Sequence, residues 1–587
     1  MRRLRTTSPS HATSALAVLT LLSTITACSM FGANAAVAAS PTTQGSHEAG
    51  VVLDSGMNSN SNAGTSQPTG SNTSNGSGGS TGSTGASVPK GLESFYNQDL
   101  TWTDCTDNAT GTAFKCATVT VPLDYDNPQG KTITVALKKL PATTPSPRGS
   151  VFLNPGGPGV SGISAIEYQA ELYKTGDLSE VLANYDVIGF DPRGVGQSTP
   201  ITCWSPEDVQ AILAGQTEAP SPSLSTPGSA ADIVAQGSRE AAACQKYTEV
   251  PEILDHMDTR SVARDMDVMR ALVGDKDLNY LGTYLGAVYT ELFPDNIGRV
   301  VLDSAMDPTL SRQEASEDGA AAKEQSLRTY IESQQGQAGF PLCGTTEEAI
   351  AQLASFLDGL DANPLAVSNS RETLNRVKAV DAIGALANSS PDKWPLLTEG
   401  LAQAMNAHDG TVLARNAASV SSNSVPPPTT EKQVVERLRT RYVFSANRCL
   451  DFPDAGNEAS WDAALASYRP DYPVFHSSLP QMDAFCHGWR HTSRTEAVNV
   501  DVEATNPVLV IGILHDPSTP YPWSQALVSR IRNSHLLSVD MYGHIATGAN
   551  SCTTAKIGDY LVNGTFPSDG EVCAADPEPQ AGGGEKG

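Results

Sequence analysis

Short apolar runs, mostly β-branched, recur along the middle of the chain with helical stretches between them. The runs cover residues 117–122, 132–137, 149–153, 185–190, 278–281, 299–302, 507–513 and 535–539. Several are apolar at nearly every position, as strands buried on both faces are. Stretches such as 259–272 place apolar residues at helical spacing. Alternating strand and helix predicts a mostly parallel sheet sandwiched by helices. Residues 309–498 break the rhythm. They are rich in Ala, Glu, Gln and Leu at helical spacing, as in 316–333, 346–360 and 431–447. This reads as a helical insertion, with the sheet resuming at Asn506. Insertions at the C-terminal edge of such sheets commonly cover the site.

The two ends follow different rules. From Ser40 to Ser87 the chain is Ser, Gly, Thr and Asn with almost no large apolar residues. Such a stretch buries too little surface to fold and predicts a flexible spacer. Ahead of it, Arg2, Arg3 and Arg5 precede a mostly apolar run, 15–25, too short to span a bilayer. This is the layout of a signal peptide. The run ends in Ile-Thr-Ala-Cys at 25–28, which resembles the bacterial lipobox, whose cysteine is acylated. The expectation is therefore an exported chain held at the membrane surface by a lipid on Cys28. Ordinary cleavage near residues 36–39 is the alternative. The expected organisation is a signal peptide over 1–27, spacer over 28–90, sheet core over 91–308, helical insertion over 309–498, sheet core over 499–575 and tail over 576–587.

The 587 residues carry a net charge of -26, which argues against nucleic acid as a partner and suits a soluble acidic surface. Of ten cysteines, nine remain once Cys28 is set aside. Export makes disulfides the expectation. Neighbouring cysteines suggest Cys105 with Cys116, Cys203 with Cys244, Cys449 with Cys486 and Cys552 with Cys573, although order along a chain does not fix connectivity. Cys343 is left over. No cysteine or histidine cluster has zinc spacing, so neither a metal nor a cofactor is expected.

Three segments carry chemistry. The run GSVFLNPGGPG at 149–159 is a strand entering a glycine-proline turn, where backbone amides can face a developing oxyanion. Gly156 and Gly157 are the candidate oxyanion-hole residues. The run PVLVIGILHDPSTP at 507–520 is a buried strand ending in an acidic turn, and YGH at 542–544 follows the last strand. Asp516 is the candidate orienting acid and His544 the candidate base. With YDVIGFDPRGVGQS at 185–198, read as structural support, and with WTDC at 102–105 and VPLDY at 121–125, the chain resembles the tripeptidyl-aminopeptidase-like serine peptidases, relatives of the prolyl iminopeptidases. The resemblance implies an α/β-hydrolase fold with a mostly parallel central sheet and a large helical lid insertion. It also implies a serine exopeptidase that releases short peptides from free N-termini.

The resemblance fails at one point. The family follows this strand with Gly-aromatic-Ser-Tyr-Gly and then Thr-Tyr-Leu-Gly, whereas this chain reads NYLGTYLGAVYTELFP over 279–294. Four residues are missing after Gly282, the nucleophilic serine among them, while the flank VVLDSAMDP at 300–308 is kept. A literal Gly-x-Ser-x-Gly at 78–82 lies in the spacer and reflects composition. Losing four residues shortens a helix by about one turn, so the same face still meets the sheet. The elbow is then expected to re-form from Gly282, Thr283 and Tyr284, with Tyr284 at the apex, where its hydroxyl stands too far from the backbone for attack. Thr283 flanks the apex and is expected to point away from His544. The nucleophile is thus unidentified and hydrolysis is expected to be crippled. The alternatives are an inactive surface protein that captures peptides, or a lesion in an otherwise ordinary enzyme.

Overall fold

The computed structural model describes residues 88–576 apart from 108–109, 217–228, 371, 421–428, 454, 477–480 and 492–497. The expected signal peptide, Cys28 and nearly all of the spacer lie outside the described residues, as does the tail from 577.

All eight apolar runs fall in strands of one ten-stranded sheet. In chain order the strands are β1 (Thr103–Asp104), β2 (Lys115–Pro122), β3 (Thr132–Leu140), β4 (Ser150–Asn154), β5 (Asp186–Asp191), β6 (Leu278–Gly282) and β7 (Ile297–Asp303). Next, β8 (Leu365–Ala366) and β9 (Thr373–Leu374) form a separate two-stranded ribbon; β10 (Val502–His515), β11 (Ile531–Tyr542) and β12 (Val572–Cys573) complete the sheet. Its order is β1-β2-β3-β5-β4-β6-β7-β10-β11-β12. The first three strands pair antiparallel at one edge, and every pairing from β5 to β12 is parallel. The sheet resumes at Val502 rather than Asn506.

The continuous apolar runs have a direct cause. Along β7, Val300 and Leu302 face one buried cluster and Val301 the other; along β10, Val508 and Val510 oppose Leu509 and Ile511. Successive side chains point to opposite faces, and both faces are covered by helices, so no position is left for a polar residue. Fully burying each such side chain contributes about 1.5–3 kcal/mol.

Between β7 and β10 the chain divides into two parts. Helices Arg312–Gln334, Thr346–Ala362, Arg376–Ala387 and Trp394–Ala407 enclose a core of their own around Leu327, Leu353, Ile383 and Leu397. Helices Glu431–Asp451 and Gln481–Trp489 instead return to the sheet. Val434, Leu438, Phe485 and Trp489 join the same buried cluster as Phe152 and Tyr280. Two of the first helices open with capping boxes, Ser311 with Glu314 and Thr345 with Glu348.

Disulfides join Cys105 to Cys116, Cys203 to Cys244, Cys449 to Cys486 and Cys552 to Cys573. Among the described residues no cysteine is free, so Cys343, left over by the pairing of neighbours, is disulfide-bonded as well.

Candidate active site

Parallel strands deliver their C-terminal ends to one edge of the sheet, and the loops leaving that edge carry the site. Asp516 leaves β10 and His544 leaves β11, one strand apart. The structure brings them together: His544 Nδ1 lies 2.9 Å from Asp516 Oδ2. The Asp516 side chain is fully buried, and its other bonds hold it still. Oδ1 accepts from the Ser518 and Thr519 amides at 2.8 and 3.0 Å, and Oδ2 accepts from the Thr519 hydroxyl at 2.8 Å. A carboxylate fixed in this way holds the imidazole in one orientation and tautomer.

The electrostatics favour a protonated ring. Desolvation works against the imidazolium, but the charge of Asp516, the hydrogen bond to it and the charge of Asp303 together outweigh that cost. The pKa of His544 therefore lies above its ordinary value.

The histidine loop is strained and braced. Ile545 sits at φ 69°, a conformation that costs a β-branched residue about 1–3 kcal/mol. Its amide donates to Ser304 Oγ at 3.2 Å. The Ala546 and Thr547 amides and the Thr547 hydroxyl donate to Asp303, at 2.6–3.1 Å. This brace by Asp303 and Ser304 has no signature in the sequence beyond the flank they belong to. Thr519, which the sequence does not single out, sits 3.3 Å from His544 Nδ1 as well as bonding Asp516. An aspartate three residues before a threonine was the one local signal.

The glycine loop follows β4. Gly156 and Gly157 have φ of 84° and 115°, and a side chain on Gly156 would meet Thr283 Oγ1 at 2.7 Å. The Gly156 amide donates to Asn154 Oδ1 at 3.1 Å, so it is already engaged. Of the two candidate amides, Gly157 is the one without such a bond.

At the elbow the structure differs from expectation. β6 runs through Gly282 and the next helix, Tyr284–Leu292, starts two residues later, so Thr283 and not Tyr284 is the turning residue. Its φ of -115° and ψ of -140° avoid the left-handed region, which a threonine resists. Packing sets the boundary: side chains on Gly282 or Gly286 would run into Tyr280 at 2.4–2.5 Å. Tyr284 packs with Met306, Phe452 and Trp523. Its hydroxyl is buried without a hydrogen-bond partner, and burial, with the charge of Asp451 second, pushes the phenol far above its ordinary pKa. Tyr284 is thus no source of an attacking oxygen.

The supporting run at 185–198 braces the fold. Arg193 is fully buried in a two-pronged pair with Asp265, Nε to Oδ2 at 2.8 Å and Nη2 to Oδ1 at 2.6 Å. A substrate's free amine needs an acidic partner, and three carboxylates of the helical insertion are already engaged. Glu314 caps its own helix, Glu317 accepts from Gln313 and Tyr468, and Asp483 forms a buried pair with Arg312.

Comparison with known proteins finds relatives along most of the chain. Residues 472–573 match the family model described as TAP-like protein. Over 503 residues the chain is 31% identical to a tripeptidyl aminopeptidase of Streptomyces lividans, covering 82% of this chain and 87% of that one. It is 30% identical over 502 residues to serine protease Hip1 of Mycobacterium tuberculosis, covering 81% and 91%. Carboxylesterase B of the same organism is 29% identical over 496 residues, covering 81% and 89%. With its hydrolase sheet order, its acid and histidine on the loops after β10 and β11, and this extent of shared sequence, the chain belongs to the tripeptidyl-aminopeptidase-like family of α/β-hydrolases.

Proposed function

We propose that this protein is an exported hydrolase acting on peptides from their free N-termini, with substrate entering beneath the helices of residues 309–498. Asp516 orients His544, His544 accepts a proton from the attacking group, and the Gly157 amide faces the developing oxyanion. The observation that carries this reading is the Asp516–His544 hydrogen bond at the C-terminal ends of β10 and β11. Tripeptide removal is what the name of the Streptomyces relative says of that protein, and it is extended here to this chain. The absence of serine from residues 279–294 favours a second reading, peptide capture with little or no turnover. Release of aminomethylcoumarin from a free tripeptide conjugate, run beside calorimetric binding of the same tripeptide, separates them. Turnover abolished by His544→Ala supports hydrolysis, and binding without turnover supports capture. Failure of both overturns the reading.

The raised pKa of His544 has a readable consequence. A histidine whose folded pKa is raised contributes stability below its unfolded pKa of about 6.5, and that contribution is lost as pH rises through the folded value. The neutral base is present only above that point, so any His544-dependent activity rises with pH along a limb above 6.5. Asp516→Asn removes the lifting charge and moves the titration down. Hydrogen exchange at the imidazole C2, followed by mass spectrometry, reads both midpoints without needing turnover. An unchanged midpoint in Asp516→Asn would contradict the assignment.

Among the described residues no helix is long and apolar enough to cross a membrane. We propose that a lipid on Cys28, with the Ser/Gly-rich stretch as spacer, holds the exported chain at the membrane surface; this requires that Cys28 not be the disulfide partner of Cys343. Cys28→Ala is expected to release the protein into the detergent-free soluble fraction. A peptide map that finds Cys28 in a disulfide would overturn the anchor.

A further inference from the structure

We propose that Thr283 supplies the attacking oxygen in this chain, in place of the absent serine. The inference rests on the reading of the site as a hydrolase and adds the group that reading lacks.

Two strand registers place Thr283. Gly282 pairs with Asn154 on β4 and with Leu302 on β7, so Thr283 is the first residue beyond the sheet, level with Asp303. On the β4 side its Oγ1 lies against Gly156, where a side chain would be met at 2.7 Å. On the β7 side the histidine loop is tied down over Asp303 and Ser304 by the amides of Ile545, Ala546 and Thr547. Adjacent strands stand about 4.8 Å apart. Thr283 therefore stands at the turn from β6 into the next helix, its hydroxyl against the glycine loop on one side, while the loop that carries His544 is tied down over the neighbouring strand on the other.

The other hydroxyls near this edge are committed. Ser304 is 2% exposed and held between the Asp303 carboxylate and the Ile545 amide. Thr519 donates to Asp516, and the Tyr284 phenol is sealed beneath the helix. The Thr283 hydroxyl caps nothing in its own helix, and the residue is only half-buried.

With Nδ1 held by Asp516, the histidine presents Nε2 to the reaction. The Thr283 hydroxyl proton passes to Nε2 as Oγ1 bonds to the substrate carbonyl carbon, and the carbonyl π pair moves onto oxygen. Collapse breaks the C–N bond, and the same proton leaves with the amine. Water then adds to the ester with its proton taken by Nε2; the C–Oγ1 bond breaks and Thr283 recovers its hydrogen. The first helical amide, at Tyr284, and that of Gly157 face the oxyanion. A threonine carries an extra methyl beside the reacting oxygen, so the expected rate is low.

The test uses the full chain with an alkyl fluorophosphonate probe and with trialanyl-aminomethylcoumarin. Mass mapping is expected to place the phosphonyl adduct on Thr283. Thr283→Ala and the isosteric Thr283→Val are expected to lose turnover by about 100-fold or more, to the level of His544→Ala. Thr283→Ser is expected to restore it or exceed the natural chain several-fold, which a packing role would not do. Turnover that needs His544 but survives both Thr283→Ala and Thr283→Val overturns this inference and leaves the hydrolase reading standing. An adduct on another residue does the same. A natural chain that neither labels nor turns over also overturns it, and tripeptide binding then decides between capture and no peptide role.

Discussion

Insertion of Tyr-Ser-Tyr-Gly between Gly282 and Thr283 is expected to raise tripeptide release by about 10³-fold or more over the natural chain, equivalent to about 4 kcal/mol in the barrier. The machinery on either side is already in place. Asp516 and His544 are hydrogen-bonded at 2.9 Å, the histidine loop is braced by Asp303, and the glycine loop after β4 is formed. Four residues return one helical turn, and the helix then meets the sheet with the same face. Thr283 and Tyr284 move back into the helix and serine takes the turn. Fluorophosphonate labelling and kcat/KM of the repaired chain, with and without His544→Ala, read the result. A repaired chain that folds but gains nothing would show that more than the serine has been lost.

The second large effect concerns stability. Arg193→Met is expected to destabilise the protein by about 3–5 kcal/mol. Arg193 satisfies Asp265 with two hydrogen bonds and also donates to the carbonyls of Pro122, Leu123 and His256 at 2.9–3.2 Å. Both side chains are essentially unexposed, at 0% and 1%. Removing the guanidinium leaves a buried carboxylate bonded only to the Tyr125 hydroxyl, and three carbonyls lose a donor. Urea unfolding with disulfides intact measures the loss. Pairing Arg193→Met with Asp265→Leu is expected to recover part of it, because the uncompensated charge is gone. A single variant within 1 kcal/mol of the natural chain would remove the pair from its supporting role.

The two predictions separate the site from its frame. The DPRG turn at 191–194 stabilises the end of the sheet: Asp191 accepts from the Ile163 and Gln197 amides, while Arg193 ties the end of β2 to the middle of helix 259–272. The proposed chemistry lies on the loops after β4, β6, β10 and β11, where Thr283 lies against Gly156 and His544 bonds Asp516. Asp516 and His544 are separated by only one helix and one strand, so their roles in the chain order were open to reading.

The sequence by itself determined the strands that are buried on both faces, because a strand with no solvent face must be apolar at every position. It singled out Asp516 and His544, each after a recognisable strand, as candidates that the structure sets in hydrogen-bond contact, and it suggested without fixing the four pairings of neighbouring cysteines. The edge strands β1 and β12, two residues each, carry no period to read. Tertiary structure alone decided the rest. Whether Thr283 or Tyr284 takes the turn depends on where β6 stops and the helix begins, and that is set by pairing with Asn154 and Leu302 and by Tyr280 packing against Gly286. The brace from Asp303 to Thr547 joins residues 244 apart, and the split of the helical insertion depends on Val434 and Phe485 finding the sheet's own core. Such contacts are fixed by packing between distant segments, and no local pattern encodes which partner a side chain will meet.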